Sequence, residues 1–376
     1  MSYKIPLAKP YFDSEELAEI RKVLDSGWVA RGPKVKEFET EIAGRLNIKY
    51  AIAVTNCTSA LHLSLLALGI REGDEVLVAD YTFPATGHAV LHCKAKPVFV
   101  DVDLKTYNVD PGSIPKKITR KTKAIIPVHT FGQPAEMDKI MKIADKHGLW
   151  VIEDAACAFG AKYKNKFAGT IGDIGCFSLH GRKGITTGEG GIVVTDSKDL
   201  SQRVKSLSAF GMTALPRDRK SEDMPFIPRF TSTGYNYKMS DVAAALGIAQ
   251  LRKLAKITKR KRSLAGYWYK KLKKIKFIAC PHVSENTTHV YQSYVVLIDK
   301  RIDRDKMIEM LMKKGIQVAI GTYASHLQPV YDSKDKCPNS SDAFKRALAL
   351  PIYYTLEEKD IDIATEIIEE VLEKLK

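Results

Sequence analysis

Short apolar runs recur along the first half of the chain, with longer stretches of helical spacing between them. They fall at 51–54, 75–79, 97–102, 123–129, 149–153, 176–179 and 191–195. Runs that lack a polar alternate suit strands buried on both faces, and strands that alternate with helices build a mostly parallel sheet covered on both sides. One helical pattern runs through Leu61, Leu63, Leu65, Leu66 and Leu68 and ends at Gly69. Another follows Ser240-Asp241 through Leu246, Ile248, Leu251 and Leu254. The stretch 211–233 is rich in Pro, Arg and Asp without a clear period, and reads as a long functional loop or lid. There is no internal repeat or low-complexity segment.

A chain of 376 residues is long for a single core. A large domain over 1–250, with an N-terminal arm, and a smaller α+β domain over 251–376 are therefore expected. No apolar run is long enough to span a bilayer, and the first residues lack a signal-peptide core. The expectation is a cytoplasmic protein without a membrane partner. The six cysteines show no metal spacing and read as reduced thiols, with Cys57 and Cys157 as small packing residues near the site. No metal site is expected.

The formal charge of +15 is concentrated between Arg252 and Lys276, where no acid interrupts. Tyr267, Trp268 and Tyr269 in that run would be the basis of a nucleic-acid reading. Helical spacing favours a solvated face with its aromatics turned to the core, partly offset by the acidic stretch from Glu357 to Glu373. No nucleic-acid partner is expected. A basic surface also suits steering of an anionic substrate.

The chemistry concentrates in three places. Lys183 lies between the apolar run ending at Leu179 and the segment Gly184-Ile185-Thr186-Thr187-Gly188-Glu189-Gly190-Gly191. Close backbone leaves an amine there poorly hydrated, which predicts a lowered pKa and a nucleophile toward carbonyls. Upstream, Trp150-Val151-Ile152-Glu153-Asp154 reads as a buried strand ending in two carboxylates. Asp154 at the carboxyl edge of a parallel sheet needs a cationic partner, and the pyridinium nitrogen of pyridoxal phosphate is one. The bland alternative has Asp154 capping a helix while Glu153 faces solvent. Thirdly, Thr55-Asn56-Cys57-Thr58-Ser59 leads from a strand into a helix, so small hydroxyl residues meet free N–H groups that suit a phosphate or an ordinary N-cap. Neither a P-loop nor a GxGxxG motif occurs.

Together these segments resemble the DegT/DnrJ/StrS family of sugar aminotransferases, pyridoxal phosphate enzymes of fold type I. The resemblance runs nearly end to end. It includes Ser26-Gly27-Trp28 with Gly32-Pro33, Tyr81-Thr82-Phe83-Pro84-Ala85-Thr86, Val128-His129 with Gly132-Gln133-Pro134, and Gly234-Tyr235-Asn236-Tyr237-Lys238-Met239-Ser240-Asp241. It implies that Lys183 forms the internal Schiff base and moves the proton, that Asp154 pairs with the ring nitrogen, and that Phe83 stacks on the ring. Thr58, Ser59 and Ser178 would bind the phosphate. Asn236 resembles a residue that reaches it from a neighbouring subunit, which implies a homodimer with shared sites. Cys157 stands where the family often has a cofactor-contacting glutamine. His326 falls in a segment similar to a substrate-contacting loop, and Tyr323 and Trp28 are grouped with it as substrate contacts.

Three further departures from the family pattern are Gly184 for a frequent Asn, Lys238 for a frequent Arg, and the additional charge of Arg182 beside the nucleophile. The resemblance implies transamination from glutamate to a nucleotide-diphosphate-linked keto-hexose. The Thr-Thr-Gly-Glu-Gly-Gly stretch after the lysine is similar to that of enzymes acting at carbon four. Enzymes acting at carbon three, dehydratases with histidine in place of the lysine, and regulatory relatives are the alternatives.

Overall fold

A computed structural model describes residues 3–212 and 229–375. Most of the expected loop over 211–233 lies outside the described residues. All seven apolar runs become strands of one sheet. Across it the order is Tyr50–Val54, Gly191–Thr195, Ile174–Ser178, Trp150–Asp154, Thr122–Ile126, Glu75–Ala79 and Lys96–Val100. The last five of these strands run parallel, while Gly191–Thr195 is antiparallel to both of its neighbours. The run expected to reach His129 leaves the ladder at Ile126.

Alternate residues of each strand feed opposite cores, because side chains on a strand have a period of two. Ile52, Val54, Ile126, Ile152 and Val193 pack on one face. On the other, Ala51, Ala53, Phe177, Ile192 and Val194 join one cluster, and Leu77, Ile125 and Val151 join another. Covering both faces is what makes these strands read as continuous apolar runs. The helix Cys57–Ala67 packs against the strands Gly191–Thr195 and Ile174–Ser178. Its start lies so close to the sheet that a Cβ on Gly191 would stand 2.3 Å from the carbonyl carbon of Asn56.

The helix Asp241–Leu272 is continuous across the expected domain boundary at 250/251. Its first half packs on the helices Ser14–Ser26 and Pro33–Leu46, and its later part on Glu358–Leu375. Around that later part lies an antiparallel sheet in the order Ile278–Ala279, Tyr294–Ile298, Ala347–Leu350, Ala319–Ile320. Its core holds Trp268, Tyr294, Met307, Leu348 and Ile368. The N-terminal arm does not stay with the large sheet. Ile5 is buried in this C-terminal core, and its backbone bonds to Gly315 and Gln317.

The basic run is only partly a solvated face. Trp268 is fully buried and donates to the Pro351 carbonyl at 2.9 Å, whereas Tyr269 is exposed. Lys261 is buried and donates to the Gln292 carbonyl at 3.0 Å, with burial pulling its ammonium down to about 8. The acidic tail does meet the run: Asp362 pairs with Lys271 at 2.5 Å and accepts from the Tyr267 hydroxyl at 2.9 Å. Among the described residues no helix is long and apolar enough to cross a membrane.

The tight approach at Gly191 gives a direct test. The atoms that an added methyl would meet are backbone, so they cannot rotate away. Gly191→Ala should cost about 1–3 kcal/mol, read as a lower urea midpoint with an unchanged slope. An unchanged midpoint would mean that the helix start does not bear on the strand.

Candidate active site

A cavity of about 720 Å³ opens where the parallel strands end. The fold delivers its polar groups from separate elements. Asp154 and Ser178 are the last residues of their strands, and Thr58 and Ser59 occupy the first turn of the helix Cys57–Ala67. That first turn has N–H groups without intrahelical acceptors, and its dipole favours an anion. The N-cap is Asn56, whose side chain accepts from the Ser59 N–H at 2.8 Å, so neither Thr58 nor Ser59 is used as the cap. Phe83 forms a wall and is 60% exposed in the single chain.

Asp154 and Lys183 both line this cavity. Asp154 is buried and accepts from the Thr86 hydroxyl at 2.8 Å and from the Ala156 N–H at 3.1 Å. Thr86 is itself held 3.0 Å from the Thr82 hydroxyl. Burial pushes the Asp154 carboxyl up despite these two donors and the nearby Lys183 charge. Such a carboxylate gains from a further cation. The Lys183 amine lies 3.2 Å from the Cys157 sulfur. Here the expectation of a lowered lysine pKa fails. Burial does disfavour the ammonium, but the Cys157 sulfur, Cys57 and the Asp154 carboxylate favour it, and the balance is upward.

The neighbouring carboxylate has a different task. Glu153 does not face solvent; it is wholly buried and accepts from the N–H groups of Gly169, Ile171 and Gly172 at 2.7, 2.5 and 2.6 Å. His129 Nε2 completes the set at 2.8 Å. The Ala135 N–H donates to His129 Nδ1 at 3.0 Å, so the ring proton sits on Nε2 and points at Glu153. Burial raises the Glu153 carboxyl, but His129 and the backbone donors more than offset it and hold it below the ordinary carboxylate range.

Four expected contacts lie elsewhere. Trp28 is exposed and packs over Gly32, where a Cβ would collide with its ring. The neighbouring Asp241 caps the helix Pro33–Leu46 by accepting from Gly32, Lys34 and Val35. Trp28 does not line the cavity of its own chain. His326 is also outside it. The His326 Nδ1 lies 2.7 Å from the buried Asp80, and its Nε2 is 3.2 Å from the Ser341 hydroxyl. Asn236 is exposed beside Lys238 and does not line its own chain's cavity. Tyr323 is brought close by pairing of Tyr323–Ala324 with Tyr81–Thr82, but it lines a second chamber of about 220 Å³. Thr86 was legible only as part of a motif.

A profile of the DegT/DnrJ/EryC1/StrS aminotransferase family matches residues 10–371. The chain belongs to this family. It is 37% identical to GDP-perosamine synthase of Escherichia coli O157:H7 over 368 residues, covering 97% of this chain and 98% of that protein. The fold superposes on the aminotransferase TlmJ of Streptoalloteichus hindustanus with a TM-score of 0.92 at 30% identity, covering 99% of each chain. The pyridoxal phosphate form of Spr1654 from Streptococcus pneumoniae, a protein assigned as a sugar aminotransferase, gives 0.92 at 25% identity, covering all of both chains.

This aminotransferase therefore uses pyridoxal phosphate, and its cavity fits that group. An acid that burial leaves short of a cation, an amine, a flat aromatic wall and a hydroxyl-bearing helix start all face one space. In addition, Thr130 Oγ1 and His62 Nε2 line it, buried and without hydrogen-bond partners among the described residues.

Glu153→Ala would leave four buried donors unsatisfied, at about 1–3 kcal/mol each before relaxation. A loss of at least ~3 kcal/mol in chemical denaturation is expected. Because the folded carboxyl is held low, its stabilisation is present above the unfolded value of about 4.3 and is lost as pH falls through the lower folded value. The wild type should therefore lose stability below about pH 4.3 more steeply than the variant.

Proposed function

We propose that the chain transfers an amino group from glutamate to a nucleotide-diphosphate-linked keto-hexose, at carbon four of the sugar. The observation that carries this reading is the placement of one buried acid and one amine around a single cavity. The likeness to GDP-perosamine synthase supports a nucleotide sugar, and the segment after Lys183 supports carbon four. Pyridoxal phosphate, when bound, supplies an electron sink for the carbon that loses or gains a proton.

The chain's residues then divide the work. Asp154 would hold the ring nitrogen and remain ionised, relieved of part of the burial that now raises its pKa. Thr86 orients it through the 2.8 Å bond. Thr58, Ser59 and Ser178 would take the phosphate at the helix start, and Phe83 would cover the ring. Lys183 accepts and returns the proton, with Cys157 holding its amine 3.2 Å away. Asn236, exposed in its own chain, would serve the site of a second copy in a homodimer. The large domain over 1–250 carries this machinery and the region 251–376 closes it from the side of Tyr323. We assign the enzyme to the cytoplasm, where nucleotide sugars and glutamate are both at hand.

The test is to incubate the protein with glutamate and a panel of GDP-, UDP- and dTDP-linked keto-hexoses. An aminated product identified by mass, with the new amine at carbon four by NMR, is the expected result. An amine at carbon three would overturn the position, and no product with any sugar would overturn the substrate class. Lys183→Ala should lower kcat by ~10²–10⁴-fold or more, since it removes the group that moves the proton. Asp154→Asn should do the same by at least ~10²-fold while leaving the fold intact.

A further inference from the structure

We propose that Arg182 is the residue that recognises the carboxylate of the amino donor, in the smaller chamber beside the main cavity; this rests on the aminotransferase reading above. Arg182 lines both spaces, as do Lys183, Cys157, His180 and Phe83. The two chambers therefore share the reacting amine and differ in what lies beyond it.

Size separates their occupants. The smaller chamber measures about 220 Å³. That is below the ~300–1,000 Å³ of clefts that hold drug-sized ligands, so by itself it does not enclose a whole nucleotide sugar. An amino acid is the reactant on that scale.

Charge gives the second argument. Lys183 and Arg182 line the chamber, and among the described residues no aspartate or glutamate does. Its remaining polar wall includes Ser293, Thr322 and Tyr323. An amino donor brings at least one carboxylate to the amine of Lys183, and a carboxylate entering a half-enclosed space needs a counter-ion.

Arg182 is built to supply one. Its backbone is fixed from both sides: the Gln292 side chain donates to its carbonyl at 3.0 Å, and its own N–H donates to His180 Nδ1 at 3.3 Å. The guanidinium has no ion pair or hydrogen bond among the described residues. A planar fork on the exposed wall of the chamber, with its donors uncommitted among the described residues, matches the two oxygens of a carboxylate.

The experiment follows the two half-reactions separately in the cofactor-loaded enzyme. With L-glutamate or L-alanine alone, the absorbance change of the cofactor is read in a single turnover for wild type, Arg182→Met and Arg182→Lys. The apparent Kd for glutamate should rise ~10–100-fold in Arg182→Met, the loss of one charge-assisted contact, and less in Arg182→Lys. An equal loss with alanine assigns the α-carboxylate, and a loss confined to glutamate assigns the side-chain carboxylate. Calorimetric binding of glutarate, which has no amine to react, should weaken by a similar factor. Apparent affinity for the keto-sugar nucleotide should stay within about threefold of wild type. Unchanged donor and glutarate affinity in Arg182→Met would overturn the proposal, as would a loss confined to the sugar nucleotide, which would assign the arginine to the diphosphate. If the wild type accepts an amino group from no amino acid, the aminotransferase reading falls and the proposal falls with it.

Discussion

A carboxylate buried at the end of a parallel strand is the constraint from which the rest of this site follows. Asp154 is buried, and two neutral donors do not by themselves make up for the hydration it has lost. The space in front of it is therefore one in which a cation is stabilised. The strands that end around it, the helix that starts beside it and the loop that carries Lys183 are the walls of that space. Their positions depend on a sheet buried on both faces, because only such a sheet brings the ends of separate strands to one edge in register.

The pair Glu153-Asp154 shows how a strand divides labour between adjacent residues. Their side chains leave the sheet on opposite faces. One gathers three backbone N–H groups and a histidine, and so ties the turn at 169–172 to the strand. The other faces the cavity. The first is an acid whose charge the protein satisfies completely, and the second is an acid whose charge it leaves partly unmet. That difference in satisfaction, not the residue type, separates a structural carboxylate from one suited to chemistry.

The amine opposite is also defined by its neighbours. Burial alone disfavours the Lys183 ammonium, yet the sulfur of Cys157 and the carboxylate of Asp154 reverse the balance. The thiol lies 3.2 Å from the lysine amine, so the charge state of one bears on the other. Arg182 is the other unusual residue there, and its fixed backbone and uncommitted guanidinium give that departure a physical role.

By itself the sequence determined the strands, the fold class and the acid and amine that come to line one cavity. Continuous apolar runs, a carboxylate at the end of one and a lysine before a glycine-rich segment are local signals that survive without any knowledge of packing. What only the tertiary structure decided was which polar residues share a space. Trp28 and His326 carry residue types that bind sugars, but Trp28 lies over Gly32 and His326 is engaged by Asp80 and Ser341. Thr86 and Glu153 gained their roles from partners 68 and 24 residues or fewer away in sequence. The direction of the Lys183 shift likewise depended on Cys157 and Asp154, which lie on other elements. Patterns along a chain report burial and period, whereas the charge state of a buried group is the sum over neighbours that folding brings from elsewhere.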